Sequence, residues 1–312
     1  MGRHLWEHHP MAAEVFEEAE DLLGWDLRKL CSAGPLEELT RTDRAQPAIF
    51  VCSVATWEVL AAGMRGPAAG SVENTSATIA LGHSLGEYGA LVAAGCLGFG
   101  EALGVVERRG KAMWECARRR PGAMAAVLGL EDVVVEQVCA EVDEVWPANY
   151  NCPGQLVISG SVAGVARAGE LALVHGARRV VPLQVSGAFH SPFMAGAAKD
   201  LTGVLASVTL MPSTTGVRFF STTEVRIPEA AELKDVLVRQ MTSAVRFSQS
   251  LEAVLPEVGS ALEVGPGGVL SGLVKKVARS VVVAGTADEA ALQVALSRLA
   301  TVDEGSREGV GG

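Results

Sequence analysis

Ala80-Leu81-Gly82-His83-Ser84-Leu85-Gly86-Glu87-Tyr88-Gly89-Ala90-Leu91 is the stretch around which the chain is arranged. A β-compatible run of small residues, 77–81, enters a Gly-x-Ser-x-Gly turn, and an Ala/Leu-rich helical stretch leaves it. A strand that turns this sharply into a helix lifts the serine hydroxyl clear of the backbone at the helix N-terminus. The tightness of such a turn predicts that both flanking positions must be glycine. The pentapeptide alone is weak in a chain with 35 glycines, and its context makes Ser84 a candidate nucleophile.

Composition sets the frame. The 312 residues are long enough to bury a large core, and 49% are hydrophobic, which excludes disorder for most of the chain. No uninterrupted run of 18 apolar residues occurs, and the N-terminal Met1-Gly2-Arg3-His4-Leu5-Trp6 lacks the apolar core of a secretory signal. No membrane span is expected. The six cysteines (Cys31, Cys52, Cys96, Cys116, Cys139, Cys152) form no C-x-x-C pair, so thiols in a reducing cytoplasm are expected, with no metal site. A net charge of −10 argues against nucleic acid as a partner.

Helical periodicity is expected over 11–24, 46–62 and 101–120, the last with Leu103, Val106, Met113 and Trp114 on its buried side. Residues 66–74 read as a loop. From 123 the pattern changes: strand 123–130, helix 131–142, strands 145–151 and 155–159, helix 161–175, strand 178–185. That order is β-α-β-β-α-β. Larger-domain signals then resume, with helices at 192–205, 230–241, 247–255, 269–278 and 289–300 and strands at 217–220, 261–264 and 281–284. The expected fold is α/β: a large α/β-hydrolase-like domain with a parallel central sheet, plus an inserted ferredoxin-like α+β subdomain. Its boundaries would be 1–121 and 187–300 for the large part, 122–186 for the insertion and 301–312 for a flexible tail.

A serine nucleophile needs a base. His4, His8 and His9 fall in a polar segment and read as solvated; His83 adjoins the serine and should pack away from it; His175 ends a helix. His190, in Gly187-Ala188-Phe189-His190-Ser191-Pro192, lies at the seam between insertion and large domain, where clefts form. An α/β-hydrolase carries its histidine on a late loop, and no histidine follows position 190. An esterase reading therefore loses weight.

At this point the residues resemble the malonyl-CoA:acyl carrier protein transacylases, including the discrete trans-acting acyltransferases of polyketide synthases. The resemblance spans about 2–300. It rests on Gly82 to Tyr88, Arg108-Arg109-Gly110-Lys111-Ala112-Met113, Gly122 to Ala126, Asn149-Tyr150-Asn151-Cys152-Pro153-Gly154-Gln155, Gly187 to Pro192, Leu237-Val238-Arg239-Gln240 and Glu263-Val264-Gly265-Pro266-Gly267. It implies transfer of malonyl from coenzyme A to the phosphopantetheine thiol of an acyl carrier protein through a Ser84 acyl-enzyme, with His190 as base and no bound cofactor. It implies that a backbone carbonyl at Gln240 orients His190, and that the Leu85 N–H is an oxyanion donor. Arg109 would grip the malonyl carboxylate, although on its residues alone it reads as a surface arginine in a charged run. Phe189 matches the position that favours malonyl over methylmalonyl, and Met113 and Asn151 complete the implied substrate contacts.

The family also carries an opening strand and a Gly-Gln-Gly-Ser-Gln loop that this sequence starts beyond; a start assigned too late is the favoured explanation. An acidic carrier protein would need a basic lip, for which Arg118-Arg119-Arg120, Arg178-Arg179 and Lys275-Lys276 are the candidates. A monomer is the default. The rival readings are a thioesterase or acyl hydrolase on the same fold and a non-catalytic docking subunit of a synthase.

Overall fold

The computed structural model describes residues 1–64, 78–185 and 187–308, with side chains described as far as Leu299. The loop expected at 66–74 and residues 309–312 lie outside the described residues.

Five helices open the chain: α1 (Arg3–His8), α2 (Pro10–Leu23), α3 (Leu27–Ala33), α4 (Leu36–Leu39) and α5 (Thr42–Met64). Helix α2 ends where the sequence reading put it, because Gly24 adopts the left-handed conformation (φ 70°) that closes a helix without Cβ strain. Helix α5 is long and apolar enough to cross a membrane by length and composition, yet most of that stretch is buried inside the protein. Val51, Val54, Ala55 and Leu60 of α5 meet Phe16 and Ala12 of α2 in the main core. The N-terminal histidines are not simply solvated. His9 Nε2 lies 3.0 Å from Glu289 Oε2, and burial draws the His4 imidazole below its usual range.

Strand β1 (Ile79–Leu81) leads through the elbow into α6 (Gly86–Ala93), and α7 (Phe99–Arg119) follows. In α7 the buried side runs through Leu103, Val106, Arg109, Gly110, Met113 and Ala117, a helical stripe at i, i+3 and i+4 steps. Trp114, expected on that side, is half-buried and lies under the Arg41 guanidinium.

The middle of the chain follows the sequence reading closely: β2 (Ala123–Leu128), α8 (Asp132–Ala140), β3 (Val145–Cys152), β4 (Gln155–Gly160), α9 (Val162–Val174) and β5 (Arg179–Pro182). The four strands form one antiparallel sheet in the order β3-β4-β2-β5. One face carries its own core, in which Val127, Leu156 and Ile158 meet Val135 and Val138 of α8 and Val165 of α9. Ser161 caps α9 by accepting from Gly164 N–H at 3.0 Å.

After residue 187 the chain returns through α10 (Ala195–Ala206), β6 (Arg218–Phe220), α11 (Leu233–Gln240), α12 (Phe247–Val254), β7 (Ser260–Leu262), α13 (Val269–Val277), β8 (Val282–Ala284) and α14 (Glu289–Glu308). Helix α14 runs eight residues beyond the end expected at Ala300, into the stretch read as tail. The parallel strands differ from expectation as well. Instead of one sheet they form two pairs, β1 with β6 and β7 with β8. Each of these strands is three residues long, enough for one short ladder.

Two features bring the returning chain to the elbow. The 240–247 segment hydrogen-bonds to β3, with Val245 N–H donating to Ala148 O (2.8 Å) and Tyr150 N–H to Val245 O (2.9 Å). At the seam, a Cβ on Gly122 would lie 2.6 Å from Ala188 Cβ, so only glycine lets β2 start this close to the 187–190 segment.

Candidate active site

Ser84 sits at φ 52°, a left-handed conformation that costs a non-glycine residue on the order of 1–3 kcal/mol and persists where surrounding structure enforces it. The enforcement comes from close packing. A Cβ on Gly82 would overlap the backbone of Gly86 and Glu87, so that position must be glycine, whereas a Cβ on Gly86 would meet nothing within 4 Å. The expectation that both flanking glycines are sterically required is therefore corrected: the turn folds back over Gly82 alone. Thr222 Oγ1, 2.9 Å from Gly82 O and 3.0 Å from Glu87 Oε1, shares its single proton between the two acceptors and ties the elbow down. Leu85 is the N-cap of α6, so its backbone amide lies at the positive end of that helix.

Arg109 is 1% exposed, which overturns the surface reading of the Glu107-Arg108-Arg109 run. Its Nη1 donates to Gln46 Oε1, and its Nη2 donates both to Ser84 Oγ (2.9 Å) and to Gln240 Oε1 (3.0 Å). Among the described residues no carboxylate forms an ion pair with it, and its Nε has no hydrogen-bond partner. Burial draws the guanidinium below its usual range, with the nearby Tyr88 and Glu87 opposing that shift.

His190 also takes a left-handed conformation (φ 58°) and is 5% exposed. Ser191 fixes its loop: Ser191 Oγ donates to Ala188 O (2.6 Å) and accepts from Phe193 N–H (3.3 Å). His190 Nδ1 lies 2.9 Å from Gln240 O. A carbonyl can only accept, so the proton sits on Nδ1 and leaves Nε2 with its lone pair. Burial, and next the Arg109 charge, push the imidazole down to about 3, which keeps it neutral at physiological pH. Ser84 Oγ and His190 share no direct hydrogen bond among the described residues; Gln240 links them, its Nε2 donating to Ser84 O at 3.0 Å while its main chain holds the imidazole.

The remaining candidates lie one contact further out. Met113 S accepts from Gln46 Nε2 at 3.2 Å, behind Arg109. Asn151 Oδ1 pairs with His83 Nε2 at 2.9 Å, and His83 packs against Phe247. Phe189, half-buried, packs where the main core meets the small cluster of Met124, Ala126, Ala148 and Val157. Among the described residues no group of three or more His, Cys, Asp or Glu could hold a metal ion.

The chain matches the family model described as the acyl transferase domain over residues 1–300. It is 41% identical to the malonyl CoA-acyl carrier protein transacylase of Bacillus subtilis, covering 96% of this chain and 92% of that one. Among solved structures it is similar to the MCAT of Streptococcus pneumoniae, with a TM-score of 0.87 and 36% identity over 96% of this chain and 95% of that one. Another is a type II PKS acyl-carrier protein in complex with its malonyl-transacylase, with a TM-score of 0.86 and 38% identity over 95% and 94% of the two chains. This chain belongs to the acyl transferase family. In this acyl transferase, two parts of the site escaped the sequence reading. Gln46 is buried, but it closes the polar first turn of α5 (Thr42-Asp43-Arg44-Ala45-Gln46), where one more polar residue gives no signal in the sequence. Glu87, fully buried, accepts from Thr222 N–H (2.6 Å), Thr222 Oγ1 (3.0 Å), Ser221 Oγ (3.2 Å) and Gln240 Nε2. Burial pushes its carboxyl up, and the Thr222, Gln240 and Ser221 donors oppose that. The spacing Ser84-x-x-Glu87 reads as a helix capping box, which hides the deeper partners.

Proposed function

We propose that this chain moves a malonyl group from coenzyme A to the phosphopantetheine thiol of an acyl carrier protein through a Ser84 acyl-enzyme, in fatty acid or polyketide synthesis. One observation carries the reading: a buried arginine with no carboxylate partner among the described residues donates directly to the candidate nucleophile. A single methylene separates the malonyl thioester carbonyl from its free carboxylate. A guanidinium touching Ser84 Oγ is therefore in reach of that carboxylate when the carbonyl is at Oγ, and its planar fork suits two parallel bonds.

In this mechanism Ser84 Oγ attacks the acyl carbon and its proton passes to His190 Nε2. The Leu85 N–H, at the start of α6, stabilises the oxyanion. The carbon–sulfur bond then breaks, and the coenzyme A thiolate takes the proton from His190. In the second half the carrier thiol gives its proton to His190 and attacks the ester; the carbon–oxygen bond breaks and Ser84 recovers a proton. Phe189 crowds an α-branched acyl group, while Met113 and Asn151 shape the site through Gln46 and His83. No cofactor takes part; the coenzyme A thioester is substrate. We read residues 122–186 as a ferredoxin-like insertion in an α/β-hydrolase-like domain made of 1–121 and 187–300, a reading supported by the β3-β4-β2-β5 order. We read the protein as a cytoplasmic monomer, and the six free cysteines suit a reducing compartment.

Intact mass of the folded protein mixed with malonyl-CoA tests the proposal. One malonyl adduct is expected on the wild type, none on Ser84→Ala, and addition of phosphopantetheinylated carrier protein should discharge it. An adduct lost to water as fast as to carrier protein would assign the hydrolase instead, and no adduct on folded protein would leave the docking subunit.

The carrier protein docks, in this reading, where two of the three basic candidates converge. Lys276 Nζ donates to Gln155 Oε1 (3.1 Å) at one side of the β3–β4 turn. On the other side of that turn Gly129 N–H donates to Gly154 O, and Arg178 N–H to Leu128 O. Asn151, bonded to His83 beside Ser84, lies one residue before the end of the same β3 strand. Arg120 is engaged elsewhere, by Glu144 and the Phe193 ring. The double reversal Arg178→Glu with Lys276→Glu is expected to slow discharge to carrier protein about tenfold at low salt and to leave loading by malonyl-CoA unchanged. Equal discharge rates would remove this surface from the docking site.

A further inference from the structure

We propose that Glu87 is a positioning residue for the acyl-carboxylate clamp: through the Gln240 amide it holds the lone pair that steadies Arg109. The inference rests on the acyl-transfer reading above.

Glu87 touches neither Ser84 Oγ nor Arg109. It contacts the Gln240 side chain, and Gln240 contacts everything else: Nε2 donates to Glu87 Oε2 and to Ser84 O, Oε1 accepts from Arg109 Nη2, and the backbone oxygen faces His190 Nδ1. A glutamine amide can flip, exchanging oxygen and nitrogen. Flipped, Gln240 would set its oxygen against the Glu87 carboxylate and the Ser84 carbonyl, and its NH2 against the guanidinium. All three contacts would be repulsive. The carboxylate, acting with the Ser84 carbonyl, therefore holds the amide in the one orientation that offers an acceptor to Arg109. Two other residues hold Glu87 in turn: Thr222 through its N–H and hydroxyl, and Ser221 through its hydroxyl. With all these donors aimed at it, Glu87 acts as an acceptor, and so as a buried negative charge one amide away from a buried positive one. A direct Glu87–Arg109 ion pair would occupy the fork. With the amide between them Glu87 offsets the guanidinium charge from a distance and takes none of its hydrogens, which leaves the unpartnered Nε–H, and the Nη2 hydrogen now on Ser84 Oγ, for the acyl carboxylate.

Single-turnover loading with malonyl-CoA and with acetyl-CoA, which has the same thioester and no free carboxylate, tests this. Wild-type loading by malonyl-CoA judges the functional reading alone; the variant ratios judge Glu87. Glu87→Gln keeps the shape but presents an NH2 toward Gln240, and the malonyl-to-acetyl rate ratio is expected to fall about tenfold. Ser161→Ala removes the side-chain cap of α9, outside the Glu87–Gln240 network, and should keep the ratio within about twofold while lowering the melting temperature. Gln240→Ala with and without Glu87→Gln should give the same ratio, because the carboxylate acts through that amide. Should Glu87→Gln fail to fold, Glu87→Asp keeps the charge but falls short of Gln240, and a lowered ratio is again expected. Equal losses for both thioesters, an equal ratio change in Ser161→Ala, or additive effects in the Gln240→Ala background would overturn the proposal.

Discussion

Arg109→Ala is expected to slow loading of Ser84 by malonyl-CoA about 10²–10³-fold while changing loading by acetyl-CoA less than about tenfold. The split follows from what the guanidinium does. Hydrogen bonds to a charged partner contribute about 1.5–3 kcal/mol each, and a bidentate grip on the acyl carboxylate contains two of them. Acetyl-CoA has no carboxylate to lose. Its smaller penalty comes from the acceptors left behind, since Gln46 Oε1 and Gln240 Oε1 are both buried and both accept from Arg109. Arg109→Lys should recover little. An ammonium is a point charge on a flexible stem and cannot serve Gln46, Ser84 and Gln240 from one plane. Rapid-quench loading followed by intact mass measures both rates. Equal losses for the two thioesters would mean that Arg109 supports the fold of the site and does not select the acyl group.

Arg109 also shows what the sequence could and could not reveal. The elbow was readable because its information is local: five residues between a strand and a helix, with a Gly82 that no other residue can replace. The antiparallel unit was readable for a similar reason, since β2 to β5 follow one another closely and alternate with amphipathic helices. Arg109 looked like one more charge in Glu107-Arg108-Arg109, although Val106, Arg109 and Met113 share a helical stripe that the i+3 and i+4 steps could have exposed. The network beneath Ser84 was reached at one point only, Gln240, and there through the family resemblance and for its backbone oxygen, not for its side chain. Gln46, Glu87, Thr222 and Gln240 come from four distant segments, and only the packing of α5, α6, α7 and α11 brings them together. The split into two parallel pairs was hidden likewise, because pairing partners such as β1 and β6 are remote in sequence and no local pattern sets their register.

His190→Asn should slow loading by about 10³-fold, within the range that general-base catalysis contributes, and the pH dependence around it tests the cause. Burial and the Arg109 charge hold the imidazole near 3, so in the free protein the base stays competent well below the pH at which an exposed histidine would take a proton. The acid limb of kcat/KM for malonyl-CoA, which reports the free enzyme, should therefore lie below pH 5. In the malonyl-enzyme the acyl carboxylate offsets the Arg109 charge, one of the two main causes of the depression. The acid limb for discharge to a thiol acceptor should thus lie at higher pH than the limb for loading. Stability gives a second reading with a definite sign. In the unfolded chain His190 binds a proton below about pH 6.5, while in the fold it does so only near 3, so stability is lost as pH falls through that window. A single such group contributes a loss of roughly 2 kcal/mol between pH 7.5 and pH 5. His83 is also drawn down by burial and adds to the wild-type slope, so the comparison that isolates His190 is wild type against His190→Asn in denaturant titrations at both pH values. The variant should be the less pH-sensitive protein by about that amount. Parallel pH profiles for the two proteins would show that the imidazole is not held neutral, and the assignment of His190 as base would fall with it.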